Sequence, residues 1–298
     1  MNRMIRNIHS TLGRALILCA CALTLVVIPA VAFVQGPDES PDSRSQHQGS
    51  VSDRTLTFTP IEAPGNTNTL AFGINDRGQI VGSSFEDGGV DEHGFLLDQG
   101  VFTRIDVPVP ETTLTATNGI NDRGQIVGGF IDAGGSQHGY LLDAGAFTQI
   151  DFPGATLTRP LGISKRGQIV GTFQDTEGVF HGFLLDEGTF TPIDVPGETT
   201  RTVAIAINDR GQIVGAFDEL AASRGFLLDD GAFVQIDVPG ATATQPSGIN
   251  KRGQIVGGFQ DAGGAIHGFC GTLGKDLGRR MERPSPAGGT CNSAQHAE

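Results

Sequence analysis

From Thr55 to Leu273 the chain alternates short apolar runs with tight, glycine-bearing turns, and the same alternation returns five times. The string GINDRGQIVG spans Gly73 to Gly82 and again Gly119 to Gly128. GISKRGQIVG follows from Gly162, AINDRGQIVG from Ala206 and GINKRGQIVG from Gly248, at spacings of 46, 43, 44 and 42 residues. A second string, HGFLLD, starts at His93 and returns at His138 as HGYLLD, at His181, at Arg224 as RGFLLD and at His267 as HGFCGT. A third starts at Phe58, Phe102, Phe147, Phe190 and Phe233, reading FTPIEAPG in its first copy and FTPIDVPG in its fourth. A fixed period of about 44 residues falls in the range of four-stranded propeller blades.

GIN and QIVG are β-prone runs flanking Asp-Arg-Gly or Lys-Arg-Gly. They predict a hairpin whose glycine (Gly78, Gly124, Gly167, Gly211, Gly253) supplies a positive φ. HGFLLD and FTxID predict a second hairpin across a short Gly-containing turn. Each unit therefore has four strands: a ending in GIN, b as QIVGxF, c as HGFLLD and d as FTxIDVP. Nothing in the repeats has helical period. Phe85, Phe130, Phe173, Phe217 and Phe259 are read as closing strand b; Phe95, Tyr140, Phe183, Phe226 and Phe269 open strand c. With the five that open strand d, 14 of the 18 Phe and the single Tyr are thereby assigned to the core. Runs such as Phe95-Leu96-Leu97, apolar on both faces, suit a sheet covered on both sides.

The last unit, Ala241 to Leu273, lacks strand d, and a d-type segment stands instead at Thr55 to Pro64. A displaced strand is what a ring needs to join its two ends, whereas an open stack would carry polar caps. The expected fold class is therefore all-β: a five-bladed β-propeller of four-stranded antiparallel blades over 55–273, closed by an N-terminal strand completing the last blade.

The INDRGQIVG and HGF strings, in register through all five units, resemble the HAF-type repeats of bacterial extracellular proteins, with His-Gly-Phe or His-Gly-Tyr in place of His-Ala-Phe. The resemblance implies a secreted repeat protein with a propeller fold, and no agreed substrate or catalytic residue. The strand order is also similar to kelch repeats, but their Trp and paired-Gly pattern is missing.

The flanks carry the address. Arg3, Arg6 and Arg14 precede an apolar stretch from Ala15 to Val34, and Ala30 and Ala32 have the spacing that a signal peptidase reads, so 1–32 is expected to be a cleaved signal peptide. An uncleaved anchor competes, since that stretch is 20 residues long and just able to span a bilayer. Residues 33–54 and 274–298 are too polar to bury and read as a disordered linker and tail. With export, Cys270 and Cys291 are expected to pair as a disulfide. After Ala32 the chain holds 33 acidic against 17 basic residues, a balance of −16, which argues against nucleic acid or anionic lipid as partner. The predicted protein is a secreted, extracellular or periplasmic monomer with no stable membrane span after cleavage.

Candidate chemistry gathers on the b–c connections. These carry Asp87, Asp132, Asp175, Glu219 and Asp261 and end in His93, His138, His181, Arg224 and His267. One reading is a ring binding Ca, Zn or a cationic ligand. The other is that each acid hydrogen-bonds the His of its own unit. On the opposite face, Arg77, Arg123, Arg166, Arg210 and Arg252 form either a basic ring or solvated turn positions paired with Asp76, Asp122 and Asp209. No GxSxG, HExxH or phosphate-cradling loop is present. The functional expectation is a binding or scaffolding propeller without a cofactor; the alternative is an extracellular hydrolase or lyase using acids on the b–c face.

Overall fold

The computed structural model describes residues 59–272 except 67, 87–90, 111, 113, 198–199 and 220–221, so the predicted signal, linker and tail lie outside the described residues. Nineteen strands and no helix are described. The first unit holds β1 (Asn68–Ile74), β2 (Ile80–Phe85), β3 (Glu92–Asp98) and β4 (Val101–Ile105). The second holds β5 (Leu114–Ile120), β6 (Ile126–Ile131), β7 (Gln137–Asp143) and β8 (Ala146–Ile150). The third holds β9 (Leu157–Ile163), β10 (Ile169–Gln174), β11 (Phe180–Asp186) and β12 (Thr189–Ile193). The fourth holds β13 (Arg201–Ile207), β14 (Ile213–Glu219), β15 (Ala222–Asp229) and β16 (Ala232–Ile236); the fifth has β17 (Ala243–Ile249), β18 (Gln254–Gln260) and β19 (Ile266–Thr272). Within a unit the strands form an antiparallel meander, and the first strands of successive units touch one another. The architecture is all-β and propeller-like, with a strands inside and d strands outside.

Local chemistry fixes each hairpin. The a–b turn glycines have positive φ, 78° at Gly78 and 81° at Gly124. In the turn after β5, Asn121 Oδ1 accepts from the amides of Arg123 at 3.0 Å and Gln125 at 3.1 Å, and Asn121 O accepts from Gly124 N at 3.0 Å. Every a–b pair then bulges by one residue at the same place, as between Thr117 and Gly119. Opposite each bulge stands the glycine of QIVG. A Cβ on Gly128 would lie 2.0 Å from Ala116 O and 2.8 Å from Tyr140 Cε1, so no side chain fits. This glycine serves the bulge.

The core lies between units rather than within them. Val81 of the first unit clusters with Ile120, Ile126, Phe130 and Tyr140 of the second. Val127 and Ile150 meet Ile163, Ile169 and Phe183; Val170 and Ile193 meet Ile207, Ile213 and Phe226; Val214 and Leu227 meet Ile255. Each apolar seam thus joins the outgoing face of one unit to the incoming face of the next. Of the strand c aromatics expected in the core, Phe95, Tyr140, Phe183 and Phe226 are fully buried, whereas Phe269 of the last unit is half-buried.

Two expectations need correction or limits. Strand b of the first unit keeps the register of the others, but its Phe stands one residue later, so that Ser84, not Phe85, pairs with His93 where Phe130 pairs with His138. Of the expected closing strand, residues 59–64 are irregular with a turn beginning at Pro64, residues 55–58 lie outside the described residues, and β19 pairs among the described strands only with β18.

Gly128→Ala should lower stability by about 3 kcal/mol in urea unfolding, because a backbone oxygen must move. Gly258→Ala, whose new Cβ would meet nothing closer than 3.7 Å, should stay within about 1 kcal/mol of the parent chain.

Candidate functional site

The b–c ends do not assemble into one shared ring. Each is a local clamp inside its own unit. In the second unit His138 Nε2 lies 3.3 Å from Asp132 Oδ2 and His138 Nδ1 lies 2.9 Å from Asp151 Oδ1. The third unit repeats this with His181 at 3.3 Å from Asp175 and 2.8 Å from Asp194. Arg224 substitutes for His in the fourth and makes the same two ion pairs, 3.3 Å to Glu219 and 3.2 Å to Asp237. In the fifth, His267 Nε2 sits 2.8 Å from Asp261.

The first unit shows the effect of the displaced Phe. His93 Nε2 faces Glu86 at 3.4 Å and Nδ1 faces Asp106 at 2.8 Å. Counting from IVG rather than from the Phe, Glu86 is the counterpart of Asp132, and Asp87, which lies outside the described residues, is not. A further class of residue escaped the sequence reading altogether. Asp106, Asp151, Asp194 and Asp237 supply the second carboxylate of the first four clamps, and each stands 13 residues after its His or Arg. That constant interval was the available signal. Neighbours hold the other oxygen of these aspartates: Arg104 Nε donates to Asp106 Oδ2 at 2.5 Å and Gln149 Nε2 to Asp151 Oδ2 at 2.6 Å.

A neutral imidazole has one N–H, and two flanking carboxylates favour two. Burial acts to lower the pKa of His138, but the hydrogen bonds and charges of Asp151 and Asp132 outweigh it and hold the group above 6.5. His181 is raised in the same way by Asp194 and Asp175. Asp132 and Asp175 are lowered, first by backbone amides and then by their His; Asp261 is lowered first by His267. The imidazoles of the second, third and fifth units also pack on a strand b ring, with Phe130–His138 centroids 5.2 Å apart, Phe173–His181 5.0 Å and Phe259–His267 5.1 Å. Among the described residues no group of three His, Cys, Asp or Glu could hold a metal ion.

The turn arginines are not paired with neighbouring acids as the sequence suggested. Asp122 Oδ1 accepts from Asp76 N at 2.9 Å and Asp209 Oδ1 from Lys165 N at 2.9 Å, so these acids cap the turn of the preceding unit. Arg77 Nη2 donates to the Asp122 carbonyl.

A cavity of about 680 Å³ opens on this turn face between the second and third units. Its floor is apolar, from Leu141, Ile150, Ile169, Leu185 and Phe190, and Arg123 and Arg166 stand at its rim. A smaller cavity of about 320 Å³ on the opposite face includes His181, Asp194 and Arg201. A third, about 440 Å³, is lined by the a–b turns of the first, second, fourth and fifth units. Glu92, at the start of β3, is the one carboxyl among the described residues whose pKa is raised; burial pushes it up against Ser83 and the charge of Arg159. It lines none of these three cavities. Cys270 is disulfide-bonded, and Cys291 lies outside the described residues.

No protein-family model matches the chain, and no curated protein does. Among solved structures it is similar to a putative TolB from Agrobacterium tumefaciens, with 16% identity over 68% of this chain and 82% of that one and a TM-score of 0.48. It is also similar to the Aleuria aurantia lectin, described as a six-bladed β-propeller (14% identity, 68% and 73% covered, TM-score 0.42). A third similar structure is the β-propeller domain of the trilobed protease of Pyrococcus furiosus (10% identity, 69% and 81% covered, TM-score 0.39).

The clamps make stability depend on pH in a stated direction. A His whose pKa is raised by folding contributes fully below 6.5 and loses that contribution as pH rises through its folded value. Urea unfolding at about pH 5.5 and about pH 8.5 should therefore show the alkaline sample less stable, and H138N/H181N should flatten that difference. The carboxylate partners act oppositely, losing their contribution as pH falls below 3.8. Histidine NMR titration checks the assignment directly.

Proposed function

We propose that the chain is an exported HAF-type repeat protein whose propeller binds a ligand rather than transforming one, and that the ligand sits in the groove between the second and third units. One observation carries this reading: the groove combines an apolar floor with two guanidinium groups, Arg123 and Arg166, whose side chains have no hydrogen-bond or ion-pair partner among the described residues. Its volume of about 680 Å³ lies within the range of small-molecule sites. The carboxylates nearby are mostly engaged. Asp151 is held by His138 and Gln149, and Asp186 accepts from Gln168 Nε2 at 2.9 Å. The chemistry suits an anion with an apolar body. The b–c acids, the alternative seat for a hydrolase or lyase, are each engaged by the His or Arg of their own unit, which favours the binding reading.

The frame we propose for this site is a five-bladed ring, closed by residues 55–64 as the fourth strand of the last blade. Support comes from the FTPIEAPG string and from one preserved link. Ala63 N donates to Thr69 Oγ1 at 3.0 Å, as Phe152 N does to Thr158 Oγ1 at 2.9 Å and Val238 N to Thr244 Oγ1 at 3.1 Å where a d strand enters the next unit.

Calorimetric titration with decanoate tests the site. Saturable binding at one site per chain is expected, weakened about tenfold by R123Q/R166Q, with decanol binding far more weakly than decanoate. Absence of saturable heat, or unchanged affinity in the double variant, would count against it. The frame has a separate test: a chain starting at Ala63 should lose the steep cooperative transition of the full chain, and identical melts would remove the closing strand from the proposal.

A further inference from the structure

The four seams share one recipe, and the two ends of the array carry its two unused halves. The Val of QIVG is fully buried in each of the first four units, at Val81, Val127, Val170 and Val214, whereas Val256 of the fifth is 48% exposed. The Ile of GIN is covered by the preceding unit, 8% exposed at Ile120 and Ile207 and 9% at Ile163, whereas Ile74 of the first is 68% exposed. The outgoing face of the last unit is bare, and so is the incoming face of the first. Burying an aliphatic side chain stabilises by removing apolar surface from water, so leaving both bare forgoes a stabilisation that the other seams have.

A polar ladder ends at the same two places. Asn75 Nδ2 donates to Asn121 O at 3.0 Å, Asn121 Nδ2 to Ser164 O at 2.9 Å and Asn208 Nδ2 to Asn250 O at 3.0 Å. Each Asn thus reaches the turn of the next unit. Asn250 is exposed, and among the described residues its Nδ2 donates only to Gln254 Oε1 of its own turn, at 2.8 Å. The acceptor that continues the ladder in register is the carbonyl of Asn75. Both turns already border one cavity, which Asn75, Asp76, Asn250 and Arg252 help to line.

We infer that the outgoing face of the fifth unit docks on the incoming face of the first within one chain. Val256 then covers Ile74 as Val81 covers Ile120, and Asn250 donates to the Asn75 carbonyl. The occupant is specified by the faces themselves. A surface that fits an incoming GIN–QIVG face four times over fits the fifth copy of that face, and no unrelated partner carries the matching Ile, Gly and Asn in register. This fifth seam rests on the five-bladed reading and adds to it a face-to-face contact that the closing strand alone does not supply.

The test is thiol accessibility, read residue by residue by mass spectrometry on chains carrying I74C, V256C or, as control, V101C on the exposed edge of β4. If the seam forms, Cys at 74 and at 256 reacts with a maleimide more than about tenfold slower than Cys at 101, at a rate independent of protein concentration. Rates equal to the control would overturn the inference. Protection that grows with protein concentration would also overturn it, because the cover would then be a second copy. Hydrogen exchange on the unsubstituted chain repeats the measurement without mutation, comparing β1 and β18 with β5 and β14. Carrying out both in a chain starting at Ala63 separates the two ideas. Protection retained there keeps the seam and discards the closing strand; protection absent from the full chain discards the seam whatever the strand does.

Discussion

No unit of this protein has an interior of its own, and that constraint organises everything else. A single four-stranded sheet has two faces and nothing to put between them, so each unit must borrow cover from its neighbours. The residues kept constant in the repeats are the ones that make this borrowing possible. QIVG brings Val and Ile to opposite seams, and HGF leaves a bare glycine where the next unit arrives. At Gly139, for example, a Cβ would lie 2.5 Å from Pro160 Cδ of the following unit. Removing any of these side chains or adding one acts on two units at once.

Polar chemistry follows the same division. One Asn per turn both shapes its own hairpin and reaches across the seam, so local turn formation and assembly of neighbours are linked through a single side chain. Ser164 shows what is lost without it. Its Oγ accepts from Gln168 N at 3.2 Å within the turn but does not reach the fourth unit, and the link there passes to Lys165 N and Asp209 instead. The His clamps, by contrast, close within one unit and tie strands b, c and d together at the far end. Turn-side Asn contacts join units, whereas the clamps at the opposite end act within a unit, beside single parallel bridges such as Gln137 to Leu157 that link neighbours there.

Much of the fold was legible because repetition exposes it: the strands, the turn glycines and the buried aromatics all follow from strings in fixed register. The candidate site was less legible, and for identifiable reasons. Asp87 was chosen by aligning on Phe85, yet in the first unit Ser84 fills the Phe position and Glu86 the acid position, so an aromatic marker misled by one residue. Asp106, Asp151, Asp194 and Asp237 were hidden inside a motif that looked purely structural, and only a count of 13 to the preceding His or Arg would have exposed them. The turn arginines read either as a basic ring or as positions paired with Asp76, Asp122 and Asp209. The acids instead cap backbone amides of the preceding unit, a competition that spacing along one chain does not reveal. The groove they border depends on how two sheets lean on one another, which no single unit's sequence encodes.

The interchangeability of the seams bears on how such a chain grows. Because the four seams are built from the same residue types in the same register, duplication of one segment of about 44 residues inserts a unit whose faces resemble those its neighbours already pack against. No new contact has to be invented for the array to lengthen. Gene duplication and deletion within the array therefore cost little, because each seam repeats contacts that its neighbours already make.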